Sequence, residues 1–135
     1  ERSGVRPQNA IEIDWMLPAP SQGAIVIVCR NEDQRTKKII SPLDHASTAL
    51  CTAIERDFLR HLHGGCSSPI GALATIEGDE VRFKGNVLSV DGSDLMEIEE
   101  TELIGNDAAS LGIRAAQQLI DQGVEALIGK KVRSS

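Results

Sequence analysis

Aromatic side chains are scarce in this sequence, and Trp15, Phe58 and Phe83 are the whole set among 135 residues. Basic side chains are also in the minority, since 14 Lys and Arg face 20 Asp and Glu and leave a net charge of −6. Proteins that bind nucleic acid use basic patches and stacking rings, and proteins that dock on anionic membranes use clustered basic residues. The composition therefore predicts no nucleic-acid partner and no membrane partner, and it requires an aliphatic core.

Long apolar runs and paired cysteines are missing as well. No run approaches the ~18 residues that a bilayer-spanning helix needs, and the first residues do not form a signal peptide. The cysteines are an odd number without CxxC spacing, namely Cys29, Cys51 and Cys66. This usage is typical of reduced thiols in the cytoplasm rather than of a disulfide scaffold. Because the sequence starts at Glu1 rather than Met, we expect a piece of a longer cytoplasmic protein.

The first forty residues contain strand patterns without neighbours. Residues 11–15 alternate apolar and acidic side chains, which predicts a short strand. Residues 17–23 contain two prolines and a glycine, and this composition indicates an extended interdomain hinge. Residues 24–29 form a largely β-branched run that predicts a strand buried on both faces. Since such a strand needs partners, we expect residues 1–40 to pack poorly or to pair with a second copy.

Two helices are predicted next. Residues 33–40 can form a short helix that stops near Pro42. Asp44 is a good N-cap for a helix of about five turns, which Gly64 or Gly65 ends in the left-handed conformation. The apolar residues that recur along this helix at helical spacing are Ala46, Ala49, Leu50, Ala53, Ile54, Phe58 and Leu62. The residues predicted on its polar face are Glu55, Arg56, Asp57 and Arg60.

Three antiparallel strands and a final helix complete the pattern. Apolar residues alternate over 70–76 and 81–87, a weaker strand runs through Met96 and Ile98, and Gly78-Asp79 and Asp91-Gly92 are turn signals. Asn106 is a suitable cap for a last helix that ends at Gly123. The apolar face of that helix carries Ala108, Leu111, Ala115, Leu119 and Ile120. The order predicts an α+β fold, with a small three-stranded antiparallel sheet covered by helices over 44–135 and an incomplete strand and hinge segment over 1–43.

Cys66 is the residue on which the function class depends. It follows a helix C-terminus, where the helix dipole disfavours a thiolate, so a nucleophilic-cysteine enzyme is not indicated. A structural cysteine in a non-enzymatic α+β interaction module is one interpretation. A small metal-binding domain using His61, His63 and Cys66 is another, although two histidines at i and i+2 do not share a helix face. A third interpretation is a bulky group beside the thiol. Gly64 and Gly65 favour it, since they have no side chains and let such a group approach the backbone.

Four blocks of this sequence, in order and spacing, resemble hydroxymethylbilane synthase, also called porphobilinogen deaminase. They are Leu17-Pro18-Ala19-Pro20-Ser21-Gln22-Gly23-Ala24, Cys29-Arg30, Glu55-Arg56, and Gly64-Gly65-Cys66-Ser67-Ser68-Pro69-Ile70-Gly71. The resemblance extends from about residue 1 to the end and is to the C-terminal part of that family. It implies that residues 1–16 end domain two, that 17–23 form the crossing, that 24–41 return to domain one and that 44–135 form domain three.

The resemblance also implies the chemistry. In the family, the cysteine that matches Cys66 carries a dipyrromethane cofactor through a thioether. Four porphobilinogen molecules are added to this primer with loss of ammonia, and the linear tetrapyrrole hydroxymethylbilane is released by hydrolysis. The full enzyme is then a cytoplasmic, monomeric transferase of tetrapyrrole and heme biosynthesis, whose partners are porphobilinogen and the growing polypyrrole.

The resemblance assigns weaker roles to three further residues. Gln22 and Gly23 match a crossing segment that lines the cleft between domains one and two, and Arg56 matches an arginine in the helix leading to the cofactor loop. The catalytic aspartate and the basic residues that bind pyrrole carboxylates lie in an N-terminal region that this chain does not contain. We therefore expect the cofactor anchor without the catalytic cleft, no catalytic residue and no metal in this chain, and no activity from the chain alone.

Overall fold

A three-stranded antiparallel sheet with helices on one face forms the centre of the molecule. The computed structural model describes residues 10–13, 15–62, 69–105 and 107–128. The helices are α1 (Gln34–Ile40), α2 (Ala46–His61), α3 (Leu111–Asp121) and α4 (Glu125–Ile128), with 3₁₀ turns at Ser41–Leu43 and Ala108–Ser110. The strands are β1 (Ile70–Glu77), β2 (Glu80–Leu88) and β3 (Leu95–Leu103), in spatial order β1-β2-β3. This architecture confirms the predicted α+β class.

The register of the sheet places the alternating apolar residues on the helical side. A two-residue turn joins Glu77 to Glu80, and Gly78 adopts φ +63° there, as the turn signal predicts. The apolar residues of the strands that face the helices and are buried are Ile70, Ala72, Ala74, Val81, Phe83 and Val87. The open face is polar, and Arg82 lies within 4 Å of both Glu77 and Glu99.

Two glycines allow the helices and the sheet to approach closely. A Cβ on Gly85 of β2 would lie 2.6 Å from Cζ of Phe58, and the Phe58 and Phe83 rings meet edge to face with centroids 5.0 Å apart. A Cβ on Gly112 of α3 would lie 2.0 Å from the carbonyl oxygen of Ile54 in α2. The two helices therefore contact backbone to backbone, and Phe58 and Phe83 meet within the core, whereas Trp15 is exposed.

The helix ends differ from the predicted ones. Helix α2 is capped by His45 rather than Asp44, because the His45 ring accepts a hydrogen bond from the Thr48 N–H at 3.3 Å. Asp44 instead ends the preceding 3₁₀ turn, and its N–H donates to the Ser41 carbonyl. Helix α3 starts at Leu111, after a 3₁₀ turn, and the predicted cap Asn106 lies outside the described residues. The predicted end at Gly123 is confirmed, with φ +90°.

The predicted N-terminal strands do not form within residues 10–13 and 15–30. The β-branched run is irregular, and its exposed side chains are Ile25, Val26, Ile27 and Val28, at 51–93% exposure. A strand needs a neighbour to pair its backbone groups, and the outer edge of β1 is taken by another segment. The domain boundary near residue 43 stays a prediction.

The helices in the described part of the chain are all too short or too polar to cross a membrane.

Candidate functional site

The predicted hinge runs along the outer edge of β1, the edge that does not pair with β2. Leu17 lies over Gly71, where a Cβ would be 2.9 Å from the Leu17 Cβ. The Ala72 N–H then donates to the Pro18 carbonyl at 3.0 Å, so the hinge continues the sheet by one backbone hydrogen bond. Farther along, the Ser21 hydroxyl reaches the Thr52 carbonyl of α2 at 3.4 Å. Residues 17–23, which we call the crossing segment, thus contact both the sheet and α2.

Glu55 joins the crossing segment to the domain. Its Oε2 accepts from the Ser21 N–H at 2.6 Å, and its Oε1 accepts from the Ala74 N–H at 2.8 Å. The residue is only 5% exposed, which corrects the prediction that it lies on the polar face of α2. A buried carboxylate is costly unless it is hydrogen-bonded, and both oxygens of Glu55 are.

Within the crossing segment, residues 19–22 form a tight turn that is closed by its own hydrogen bonds. The Gln22 N–H donates to the Ala19 carbonyl, and the Ala19 N–H donates to Oε1 of Gln22, both at 3.0 Å. Ser21 has φ +63° and Gly23 has φ +84°. The left-handed conformation is free for glycine but costs energy for serine, and it turns the Ser21 N–H towards Glu55.

A shallow cleft of about 490 Å³ lies between the crossing segment, α2 and β1. It is lined by residues 21–24, by Ser47, Thr48, Cys51, Thr52 and Glu55 of α2, and by residues 74–76. Burial, followed by the nearby negative charge of Glu55, raises the pKa of the Cys51 thiol. Cys51 is therefore held in its neutral, weakly nucleophilic form.

The structure brings together two of the predicted site residues. Gln22 and Gly23 both line the cleft. Arg56 is exposed on α2, and within the described residues it makes no ion pair. The residues of the predicted anchor, Gly64, Gly65 and Cys66, lie outside the described residues.

The metal alternative gains no partner from the described residues. The His61 Nε2 lies 3.1 Å from Oε1 of Gln117 in α3, so its ring pairs with an amide. His63 and Cys66 lie outside the described residues. Across 10–13, 15–62, 69–105 and 107–128, no three side chains of His, Cys, Asp or Glu are grouped to hold a metal ion.

Sequence reasoning placed Glu55 on the polar face of its helix and in one of the resembling blocks, and it missed the contacts of its carboxylate. A usable signal was present, because Glu55 is flanked at i−4, i+3 and i+7 by Cys51, Phe58 and Leu62, which are apolar positions of one helix face. A single carboxylate within such a stripe indicates a buried acceptor. Its donor Ser21, 34 residues away, gives no local signal.

Comparison with known proteins now places the chain in a family. A profile described as "Porphobilinogen deaminase, C-terminal domain" matches residues 49–121, which is more than half of the chain. The chain is 39% identical over 112 residues to porphobilinogen deaminase of Listeria welshimeri, covering 83% of this chain and 35% of that protein. It is 40% identical over 124 residues to that of Listeria innocua, covering 92% and 39%.

A third relative, porphobilinogen deaminase of Pelotomaculum thermopropionicum, is 38% identical over 120 residues, covering 89% of this chain and 38% of that protein. The chain thus spans a little more than a third of the length of these curated relatives. The chain belongs to the porphobilinogen deaminase family, and its residues 49–121 match the C-terminal domain of that family.

Proposed function

We propose that this chain is the C-terminal, cofactor-anchoring part of a hydroxymethylbilane synthase, a cytoplasmic transferase that acts on porphobilinogen. The observation that carries the proposal is the place of Gly64-Gly65-Cys66 in the sequence of a member of this family, between α2 and β1. On either side of this segment, Leu62 and Ile70 are buried, at 3% and 6% exposure.

The donor chemistry of the loop fits a covalently held dipyrromethane. A thioether needs a thiol with room beside it, and the sequence supplies Cys66 after two glycines. When bound, dipyrromethane serves as the primer for adding four porphobilinogen units with loss of ammonia. The task of this chain is then to hold the primer at the Cys66 sulfur and to orient it, while Gln22 and Gly23 line the approach from the crossing segment.

The carboxylates of a polypyrrole need cations, and several cations here already pair with acids of this chain. Arg60 lies 2.5 Å from Asp57, and Arg114 lies 2.9 Å from Glu102. We therefore assign the catalytic acid and the carboxylate-binding cations to the preceding part of a longer enzyme, which residues 1–43 join through the crossing. On this assignment the isolated chain is inactive, and Arg56, exposed on α2, is one cation that a substrate carboxylate can reach.

The test is the mass of this chain after co-expression with the preceding two thirds of the Listeria innocua relative, supplied as a separate chain. The expected result is a mass increase equal to one dipyrromethane, and the purified pair consumes porphobilinogen. Cys66→Ser removes the increase, whereas the matched control Cys51→Ser keeps it. Assembly of the pair with an unmodified Cys66, or an increase that persists in Cys66→Ser, would overturn the anchor assignment.

A further inference from the structure

Glu55 makes a link that the anchoring role of Cys66 does not use. Its two carboxylate oxygens accept N–H groups from two separate parts of the chain, Ser21 in the crossing segment and Ala74 in β1. The carboxylate belongs to α2, the helix that runs into the Cys66 loop. One side chain therefore connects three elements, and the oxygen-nitrogen distances of 2.6 and 2.8 Å are those of charge-assisted hydrogen bonds.

The contacts around Ser21 show how much depends on this carboxylate. Ser21 also contacts α2 through a longer hydrogen bond, in which its hydroxyl donates to the Thr52 carbonyl at 3.4 Å. Ser21 also holds the left-handed conformation at φ +63°, which a serine keeps only when its surroundings stabilise it. Removing the acceptor leaves the Ser21 and Ala74 N–H groups without their partner and releases a strained turn.

The position of Glu55 on α2 links the crossing segment to the helix that precedes Cys66 in the sequence. Glu55 lies six residues before His61, the last residue of α2, which is about 9 Å along a helix. A displacement of the crossing segment therefore acts on the last turns of α2. Gln22 and Gly23, directly after Ser21, move with the same turn.

We propose that Glu55 is a positioning residue that sets the place of the crossing segment, and with it Gln22, relative to α2 and β1. The contacts of Glu55 are the structural half of the proposal and belong to this chain alone, whereas the effect on catalysis is its catalytic half and rests on the proposed function. In the assembled enzyme, Glu55 holds the cleft-lining residues Gln22 and Gly23 against the cofactor-anchoring domain while the polypyrrole lengthens.

The structural half is tested on this chain by amide hydrogen exchange. Glu55→Gln removes one acceptor, and Glu55→Asp keeps the charge but shortens the reach by one methylene. Glu55→Asp is expected to speed exchange at both Ser21 and Ala74 at least about tenfold, and Glu55→Gln at the one of them that loses its acceptor, while Phe83 in β2 keeps its wild-type rate. Glu97→Gln, an exposed residue of β3, is the matched control and changes neither site. Unchanged exchange at Ser21 in Glu55→Asp, or equal acceleration at Ser21 and Phe83, would overturn the proposal.

The catalytic half is tested in the co-expressed enzyme with Glu55→Asp. The Glu55→Asp enzyme is expected to carry one dipyrromethane on Cys66. Its kcat is expected to fall at least about tenfold while its KM changes less than about threefold. Partly extended chains then accumulate in the mass spectrum. A kcat that falls only in proportion to lost dipyrromethane would contradict positioning. If wild-type protein carries no dipyrromethane, the proposed function fails, and the exchange result on the isolated chain decides the structural half.

Discussion

Gly112 of α3 lies against the backbone of Ile54 in α2, so closely that a Cβ at position 112 would stand 2.0 Å from the Ile54 carbonyl oxygen. The neighbouring atom is backbone and cannot rotate away, so an added methyl group must separate the two helices. Gly112→Ala is expected to lower the free energy of unfolding by about 1–3 kcal/mol, measured by urea denaturation. At an uncrowded helix position the same change would raise it by up to about 1 kcal/mol, so a stabilised variant would contradict the close contact.

The loop between β2 and β3 makes stability depend on pH through Asp91. The Ser89 hydroxyl, then the Ser93 N–H and hydroxyl, donate to Asp91 and lower its pKa from 3.8 to about 2. Because the pKa of Asp91 is lower in the folded protein, its ionised carboxylate stabilises the fold. This stabilisation is complete above the pKa of the unfolded chain, near pH 4, and is lost as pH falls towards about 2. Asp91→Asn should therefore differ most from wild type at neutral pH.

The comparison is the thermal midpoint of wild type and Asp91→Asn from pH 7 to pH 2. Because other acids titrate in both proteins, the difference between them isolates Asp91. A difference that stays constant below pH 4 would show that Asp91 does not act through its charge. A side-chain titration of Asp91 by NMR checks the pKa directly.

The reactivity of Cys51 reports the charge of Glu55. Burial first, and the Glu55 carboxylate second, raise the pKa of the Cys51 thiol. Glu55→Gln is expected to lower that pKa, so the rate of alkylation by iodoacetamide reaches its plateau at lower pH. Cys29 serves as an internal reference in the same peptide map. An unchanged midpoint would contradict the charge effect, whereas a lower midpoint together with a higher plateau rate would mean that the variant exposes Cys51.

Cys66→Ser distinguishes an anchor from a structural thiol. A loop thiol kept for attachment contributes little to folding, so the free energy of unfolding of this chain is expected to change by less than about 0.5 kcal/mol. Urea denaturation measures it, and Ala72→Ser, at a fully buried strand position, is the destabilised reference. A loss for Cys66→Ser as large as that of Ala72→Ser would favour the interaction module with a structural cysteine.

The exposed run over residues 25–28 is expected to make the isolated chain associate. Its β-branched side chains are largely in solvent, and exposed apolar patches recruit partners. Replacing Val26 and Val28 by lysine should shift the chain from oligomer to monomer in sedimentation analysis at unchanged helix content. A wild-type chain that is monomeric at all concentrations would contradict this expectation.

The sheet and its turns could be predicted from the sequence because their signals are local. Alternation over 81–87 and the turn at Gly78 each depend on neighbouring residues, and the structure confirms both. The run over 24–29 has an equally strong local pattern but forms no strand, since a strand also requires a partner. Glu55 shows the same limit, because its burial is decided by Ser21, which approaches from 34 residues away.

The predicted N-cap of α2 was wrong for a different physical reason. Asp44 and His45 are adjacent acceptors, and shifting the helix start by one residue changes which of them faces the Thr48 N–H. Propensity favours Asp at this position, but Asp44 ends the 3₁₀ turn that contains Pro42. The preceding turn therefore decides where α2 begins.

The crossing segment also determines what the sheet can accept. The Ala72 and Ala74 N–H groups on the outer edge of β1 are occupied by Pro18 and Glu55, so an incoming strand finds no row of free donors there. The opposite edge strand, β3, carries four glutamates, of which Glu99 and Glu102 pair with basic residues of this chain, so Glu97 and Glu100 supply the negative charge that disfavours pairing with a second copy. The sheet is thus closed to growth on one side by its own connection and on the other by electrostatic repulsion, which keeps association of this domain away from its strand edges.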